Sequence, residues 1–197
     1  REKDFPGKLR EVLRRHSMSH SQGDIQRATR SAYQAQQQYR DRIQRTGSEY
    51  LALAKQQHLP AIILCGRPYH VDQEINHGID QLIAGFGAVL VTEDAISPRM
   101  QKRPVAVLNQ WTYHARLYAA AEYVADSNDM DLNLVQLVSF GCGVDAITTD
   151  EVRAILEQKG RIYTQIKIDE ISNLGAARIR LRSLFTALQM QRTQKGA

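Results

Sequence analysis

The chain has 197 residues, 43% of them hydrophobic, enough for one main domain with a sizeable core and an appendage. A formal net charge of +5 invites an acidic partner, but the arginines gather near the two ends without interleaved aromatics, so a nucleic-acid surface is not expected. No apolar run approaches the roughly 20 residues of a bilayer crossing, the first residues carry no signal-peptide pattern, and two widely spaced cysteines do not make a disulfide framework.

A reducing, cytoplasmic setting without a membrane partner follows as the expectation. The chain opens on Arg1 and runs straight into charged residues, which suggests a segment of something longer. Residues 1–23 read as irregular or as a short helix. His16 and His20 share a helical spacing there, but no third ligand accompanies them. Residues 24–58 lack Pro, and Ile25, Ala28, Ala32, Ala35, Tyr39, Ile43, Thr46, Tyr50 and Leu53 recur at spacings of three and four. This weak stripe predicts a long helix that docks on another surface rather than building its own core. Residues 1–58 are therefore expected to form an amino-terminal helical segment and residues 59–197 the main domain.

From Pro60 the pattern changes. Residues 61–64 read as a buried strand, 75–86 as a helix closed by Gly87, and 88–92 as a second strand. A helical pattern spans about 105–125, where Trp111, Tyr113, Tyr118 and Tyr123 read most simply as packing residues. Residues 133–140 read as the third strand, 149–159 as a helix capped by Thr149 or Asp150, 162–168 as the fourth strand and 174–189 as a closing amphipathic helix. Strands alternating with helices predict an α/β fold: a small doubly wound parallel sheet of about four strands with helices on both faces.

Ligands of such sheets bind in the crevice outside the carboxyl ends of the strands. Four groups fall on that edge: Cys65 to His70, Glu93–Asp94, Gly141–Cys142–Gly143 and Asp169–Glu170. Cys142, held between two glycines at a strand end, is either a soft ligand or nucleophile, or a small buried residue in a tight turn. Cys65 lies closer to its strand body, where a core role is the ordinary outcome. In the polar connection behind it, Arg67 suits a phosphate or carboxylate, and His70 and His77 suit proton transfer or metal binding. That loop is equally readable as self-satisfied, with Arg67 paired to Asp72 or Glu74. Glu93 and Asp169 are candidate ligand-binding acids, although helix capping is open to the strand-end Asp residues. No phosphate-loop Lys motif and no complete dinucleotide fingerprint are present.

Several longer runs carry a resemblance: GRPYHVDQEINHG at 66–78, TED at 92–94, VSFGCGVDA at 138–146 and IKIDEISNLGAARIR at 166–180. Over roughly residues 59–190 the chain resembles the carboxyl-terminal region of large CoA-substrate-specific enzyme activase-related proteins, the 2-hydroxyglutaryl-CoA dehydratase activator family. That region is similar to subunits of 2-hydroxyacyl-CoA dehydratases and benzoyl-CoA reductases. The resemblance implies a flavodoxin-like topology and, in the parent chain, an ATP-hydrolysing activase module that passes an electron through a [4Fe–4S] cluster. It implies Cys142 as the last cysteine ligand of a shared cluster, with Cys65 as a weaker second candidate, Asp169 as the strand-end acid and Arg178 or Arg180 as a helical arginine. Two thiols cannot supply four ligands, so no cofactor is expected to be held tightly by this stretch alone. The implied role is low-potential electron transfer in acyl-CoA chemistry, with the fragment itself not catalytic. The competing expectations are a binding module for an acyl-CoA or small acid, lined by Arg67, His70 and Glu93, and a docking domain without a cluster.

Overall fold

A computed structural model of the chain describes residues 3–96, 109, 111–128, 131–139, 141–168 and 174–195. The chain divides into two compact units, Arg1–Ile43 and Gln44–Ala197. In the first, α1 (Phe5–Arg15) carries Pro6 in its opening turn, where the missing N–H costs nothing. Phe5 meets Tyr33 of α2 (Gln22–Gln56) edge to face with ring centroids 6.1 Å apart.

The second unit is built on four parallel strands, β1 (Ala61–Cys65), β2 (Val89–Thr92), β3 (Leu132–Val138) and β4 (Tyr163–Lys167), in the order β2-β1-β3-β4. Register places Ile63 between Val91 and Leu134, and Val135 beside Thr164. The two central strands are buried at every residue, whereas the edge strands are only partly covered. This is why β1 is continuously apolar and β3 is broken only by the buried Asn133 and Gln136.

Helices cover both faces. α4 (Ile79–Gly85) and α7 (Gly175–Lys195) bury Ile79, Ile83, Leu181 and Leu184 against Ile62, Leu64, Val135 and Leu137. α5 (Thr112–Asp126) and α6 (Gly143–Glu157) bury Leu117, Ala121, Val152 and Leu156 against Ile63 and Leu134, joined there by Ala54 from the end of α2. The chain winds from β1 to β2 over one face and returns to β3 and β4 over the other. This is the flavodoxin-like, doubly wound arrangement, and its switch point lies between β1 and β3.

Two elements differ from the sequence reading. The helix expected over 75–86 is split into α3 (Gln73–Asn76) and α4, because His77 and Gly78 both adopt left-handed backbone, with φ of 54° and 80°. The helix expected from 149 begins at Gly143, six residues earlier, with Cys142 as its N-cap residue. Thr149 is instead buried inside α6 and donates to the Ala146 carbonyl at 2.9 Å. Of the helix expected over about 105–125, residues 105–108 and 110 lie outside the described residues.

Gly47 shows how closely α2 approaches the short 3-10 turn after β2. A Cβ on Gly47 would lie 2.5 Å from the Ala95 Cβ. In an open helix Gly47→Ala would gain about 1 kcal/mol of propensity. Here overpacking is expected to reverse the sign, with a net loss of about 1–2 kcal/mol read from the urea midpoint. A raised midpoint would show that helix and turn separate freely.

Candidate functional site

The site forms where the loops after β1 and β3 diverge. β1 ends at Cys65, and Gly66 follows because a Cβ there would stand 2.6 Å from His70 Nδ1. The 3-10 turn Pro68–Val71 therefore folds back and buries His70 completely. The Arg67 backbone N–H donates to His70 Nδ1 at 3.1 Å, which assigns the ring proton to Nε2, 3.3 Å from Ser139 Oγ beyond the end of β3.

Asp145 is the centre of the arrangement. It is the third residue of α6, only 2% exposed, and its carboxylate collects four donors. Oδ2 accepts the Ser139 N–H at 2.8 Å, while Oδ1 accepts the Tyr113 hydroxyl at 2.9 Å and the Arg67 Nε and Nη2 at 3.3 and 3.2 Å. A carboxylate in the first turn is also favoured by the helix dipole. Burial pushes the Tyr113 hydroxyl well above the ordinary tyrosine range, and the Asp145 charge adds to the shift, so Tyr113 stays a donor.

Arg67 reaches across the crevice from β1 to α6. Besides Asp145 it donates to the Tyr69 hydroxyl at 3.0 Å and to Cys142 Sγ, with its guanidinium carbon 5.9 Å from the ring centroids of Tyr69 and Tyr113. Burial opposes the guanidinium charge, but Tyr69, Asp145 and Cys142 outweigh it and hold its pKa above the ordinary arginine value. Cys142 is partly exposed and makes no side-chain capping bond to α6. Gly141 before it has φ of 70°, a left-handed conformation that favours glycine.

Beside Cys142 a cavity of about 390 Å³ opens at the carboxyl edge of β3 and β4. Its wall includes Ser139, Cys142, Gly143, Thr149, Gln165 and Lys167. Behind it runs a buried polar chain: Tyr163 donates to Gln136 Oε1 at 3.0 Å, and Gln136 Nε2 donates to Thr148 Oγ1 at 3.4 Å.

Glu93 belongs to a second centre. It opens the turn after β2, is buried, and pairs with Arg116 of α5 at 3.1 Å. Cys65, 1% exposed, lies in the core beside it, and burial together with the Glu93 charge pushes its thiol well up. His77 is exposed at the end of α3, and Asp169 lies outside the described residues. Arg178 and Arg180 are exposed on α7.

The iron–sulfur expectation is corrected here. Among the described residues no group of three or more His, Cys, Asp or Glu side chains is placed to hold a metal ion. Cys142 Sγ is turned to a guanidinium, which cannot ligate a metal, and Cys65 is enclosed by the core. The chain's two thiols therefore do not fit the ligand set of a cluster, and neither is a supported iron ligand. Tyr113, read as a packing residue, instead donates to Asp145. Asp145, Ser139 and Arg116 escaped the sequence reading. Asp145 stood inside the VSFGCGVDA run, but placing the helix start at 149 left it in a loop with no inward face.

The fold and edge geometry define a class: a doubly wound α/β domain with a polar crevice at its switch point. Residues 2–96 match the family model described as the CoA enzyme activase uncharacterised domain (DUF2229). The match spans the amino-terminal helices and the chain through β2, taking in Cys65, Arg67, His70, His77 and Glu93 but not Cys142, Asp145 or Lys167. No curated protein and no solved structure matches the chain. Among the described residues no helix is long and apolar enough to cross a membrane.

Two measurements check these electrostatics. Burial raises the Glu93 carboxyl from 4.5 to about 7, against the pull of Arg116. A carboxyl with a raised folded pKa stabilises the fold fully below about pH 4.5 and loses that contribution as pH climbs to about 7. Glu93→Gln should flatten this decline, which amounts to about 3 kcal/mol in urea titrations between these limits; an unaltered slope would show Glu93 ionised in place. Asp145→Asn should cost about 2 kcal/mol, less than a fully buried pair because Arg67 is 25% exposed. A loss under about 0.5 kcal/mol would show the pair to be screened by solvent.

Proposed function

We propose that the cavity over β3 and β4, beside the switch-point crevice, binds a small carboxylic acid or the acyl end of a CoA thioester, as one module of a larger activase-related protein. The observation that carries this reading is the uncapped amino terminus of the 15-residue α6 opening, together with Lys167, onto the cavity at the sheet edge. First-turn N–H groups have no intrahelical acceptor and attract anionic or carbonyl oxygen, and a lysine adds a point charge. A volume of about 390 Å³ suits an acyl group or small acid, leaving the nucleotide end of CoA outside. The match to a CoA enzyme activase domain supports CoA chemistry as the context. In that context the partners are an ATP-hydrolysing activase module in the same parent chain and acyl-CoA, in the cytoplasm.

Arg67 contributes by position. Its guanidinium is committed to Asp145 and Cys142, and His70 and Glu93 are buried away from solvent, whereas the α6 turn and Lys167 line the cavity itself and are the anion contacts in this reading. Acetyl-CoA or a short 2-hydroxy acid should raise the melting temperature, and Lys167→Glu should weaken binding by about tenfold or more in calorimetry. Equal heats for the wild type and Lys167→Glu would defeat the reading.

A further inference from the structure

We infer that Cys142 is an acyl acceptor, its Sγ exchanging with the CoA sulfur of an acyl thioester seated in the cavity, an inference that rests on the ligand reading above. The sulfur lies on the cavity wall, and the residues on either side leave the approach open. A Cβ added at Gly141 or Gly143 would meet nothing within 4 Å. Arg67 Nη2 donates to Sγ, so negative charge on sulfur, in attack or in departure, faces a guanidinium. Asp145 and Tyr69 accept from the other nitrogens of that guanidinium.

The carbonyl has a place as well. The first turn of α6 follows Cys142 directly in the chain without a side-chain cap from that residue, and its N–H groups, which lack intrahelical acceptors, are assigned here to the oxyanion formed on a carbonyl under attack by Sγ. In the step, Sγ bonds to the carbonyl carbon and the thiol proton goes to solvent. Collapse breaks the carbon–sulfur bond to CoA, whose sulfur leaves with the electron pair and takes a proton from solvent. The products are an S-acyl Cys142 and free CoA, with no electron transferred. Asp145 is no general base in this exchange, since Ser139, Tyr113 and Arg67 already occupy its oxygens. Cys65 serves as an internal control: the core encloses it and burial keeps its thiol protonated.

The test is intact-mass and peptide mass spectrometry after incubation with acetyl-CoA, beside calorimetry of acetyl-CoA on Cys142→Ser. Serine is a favoured N-cap residue, so this variant keeps the start of α6. The expected result is one hydroxylamine-labile acetyl adduct, mapped to Cys142, retained in Cys65→Ala and absent in Cys142→Ser. It should form at least about tenfold faster than on the urea-unfolded chain, and Arg67→Lys, which keeps a charge but loses the fork, should slow it by about tenfold. Labelling no faster than in the unfolded chain, or labelling on Cys65, overturns the inference. If Cys142→Ser binds acetyl-CoA while the wild type forms no adduct, the exchange fails and the binding reading stands. If neither binding nor adduct occurs, both fall.

Discussion

A buried carboxylate at the start of a helix governs the carboxyl edge of this domain. Charge in the interior costs several kcal/mol per ion unless paired and hydrogen-bonded, and Asp145 meets that condition through donors from three other stretches of chain. Arg67 comes from the loop after β1, Tyr113 from the start of α5, Ser139 from the end of β3, and Asp145 itself from α6. Remove any one stretch and the carboxylate is under-satisfied. The switch point, where topology alone would leave two loops leaving in opposite directions, is therefore tied shut on one side by an ion pair and on the other by the His70–Ser139 contact. What remains open is the neighbouring space over β3 and β4, and the cavity is found there.

The two cysteines show how position converts similar sequence contexts into different chemistry. Each follows or ends an apolar strand next to a glycine, and each has an acid–arginine pair nearby. Cys65 is the last residue of β1 and points into the face covered by α5 and α6, with Glu93 and Arg116 beside it, so burial suppresses its ionisation. Cys142 lies past its strand, at a helix N-cap, where the arginine contacts the sulfur itself and a cavity adjoins it. The pairing of acid with arginine is shared; solvent access is what separates them.

Much of the fold is legible in the chain because β1 and β3 are central and buried on both faces, a demand that leaves an apolar run such as Ala61–Leu64 little other reading. The start of α6 was not legible. Gly143, Val144, Ile147, Thr148 and Thr149 depress helix propensity, and Thr149–Asp150 imitates a cap, yet burying Asp145, Thr148 and Val152 overrides both signals. That one boundary hid the site, since it determines whether Asp145 faces inward. Its partner Arg67 lies 78 residues away, a separation at which local pattern carries no pairing information. The cluster-ligand reading failed for a related reason: a cysteine between glycines records exposure of a sulfur, but which group meets the sulfur is decided by tertiary geometry.

The same geometry bears on how far a family match over residues 2–96 can speak for the site. That stretch contributes the arginine and the buried histidine, while the thiol, the carboxylate and the cavity come from β3, α6 and β4 beyond it. An arginine on the β1 loop has no fixed direction by itself, being a long side chain with several rotatable bonds and about 2 kcal/mol of rotamer entropy. Only Asp145 gives it one, and only then does it reach Cys142. The chemistry at the edge is consequently a property of the joined halves of the sheet. Conservation of Arg67 alone in a related chain would carry no implication about the cavity unless an acid stood at the third position of the helix after β3.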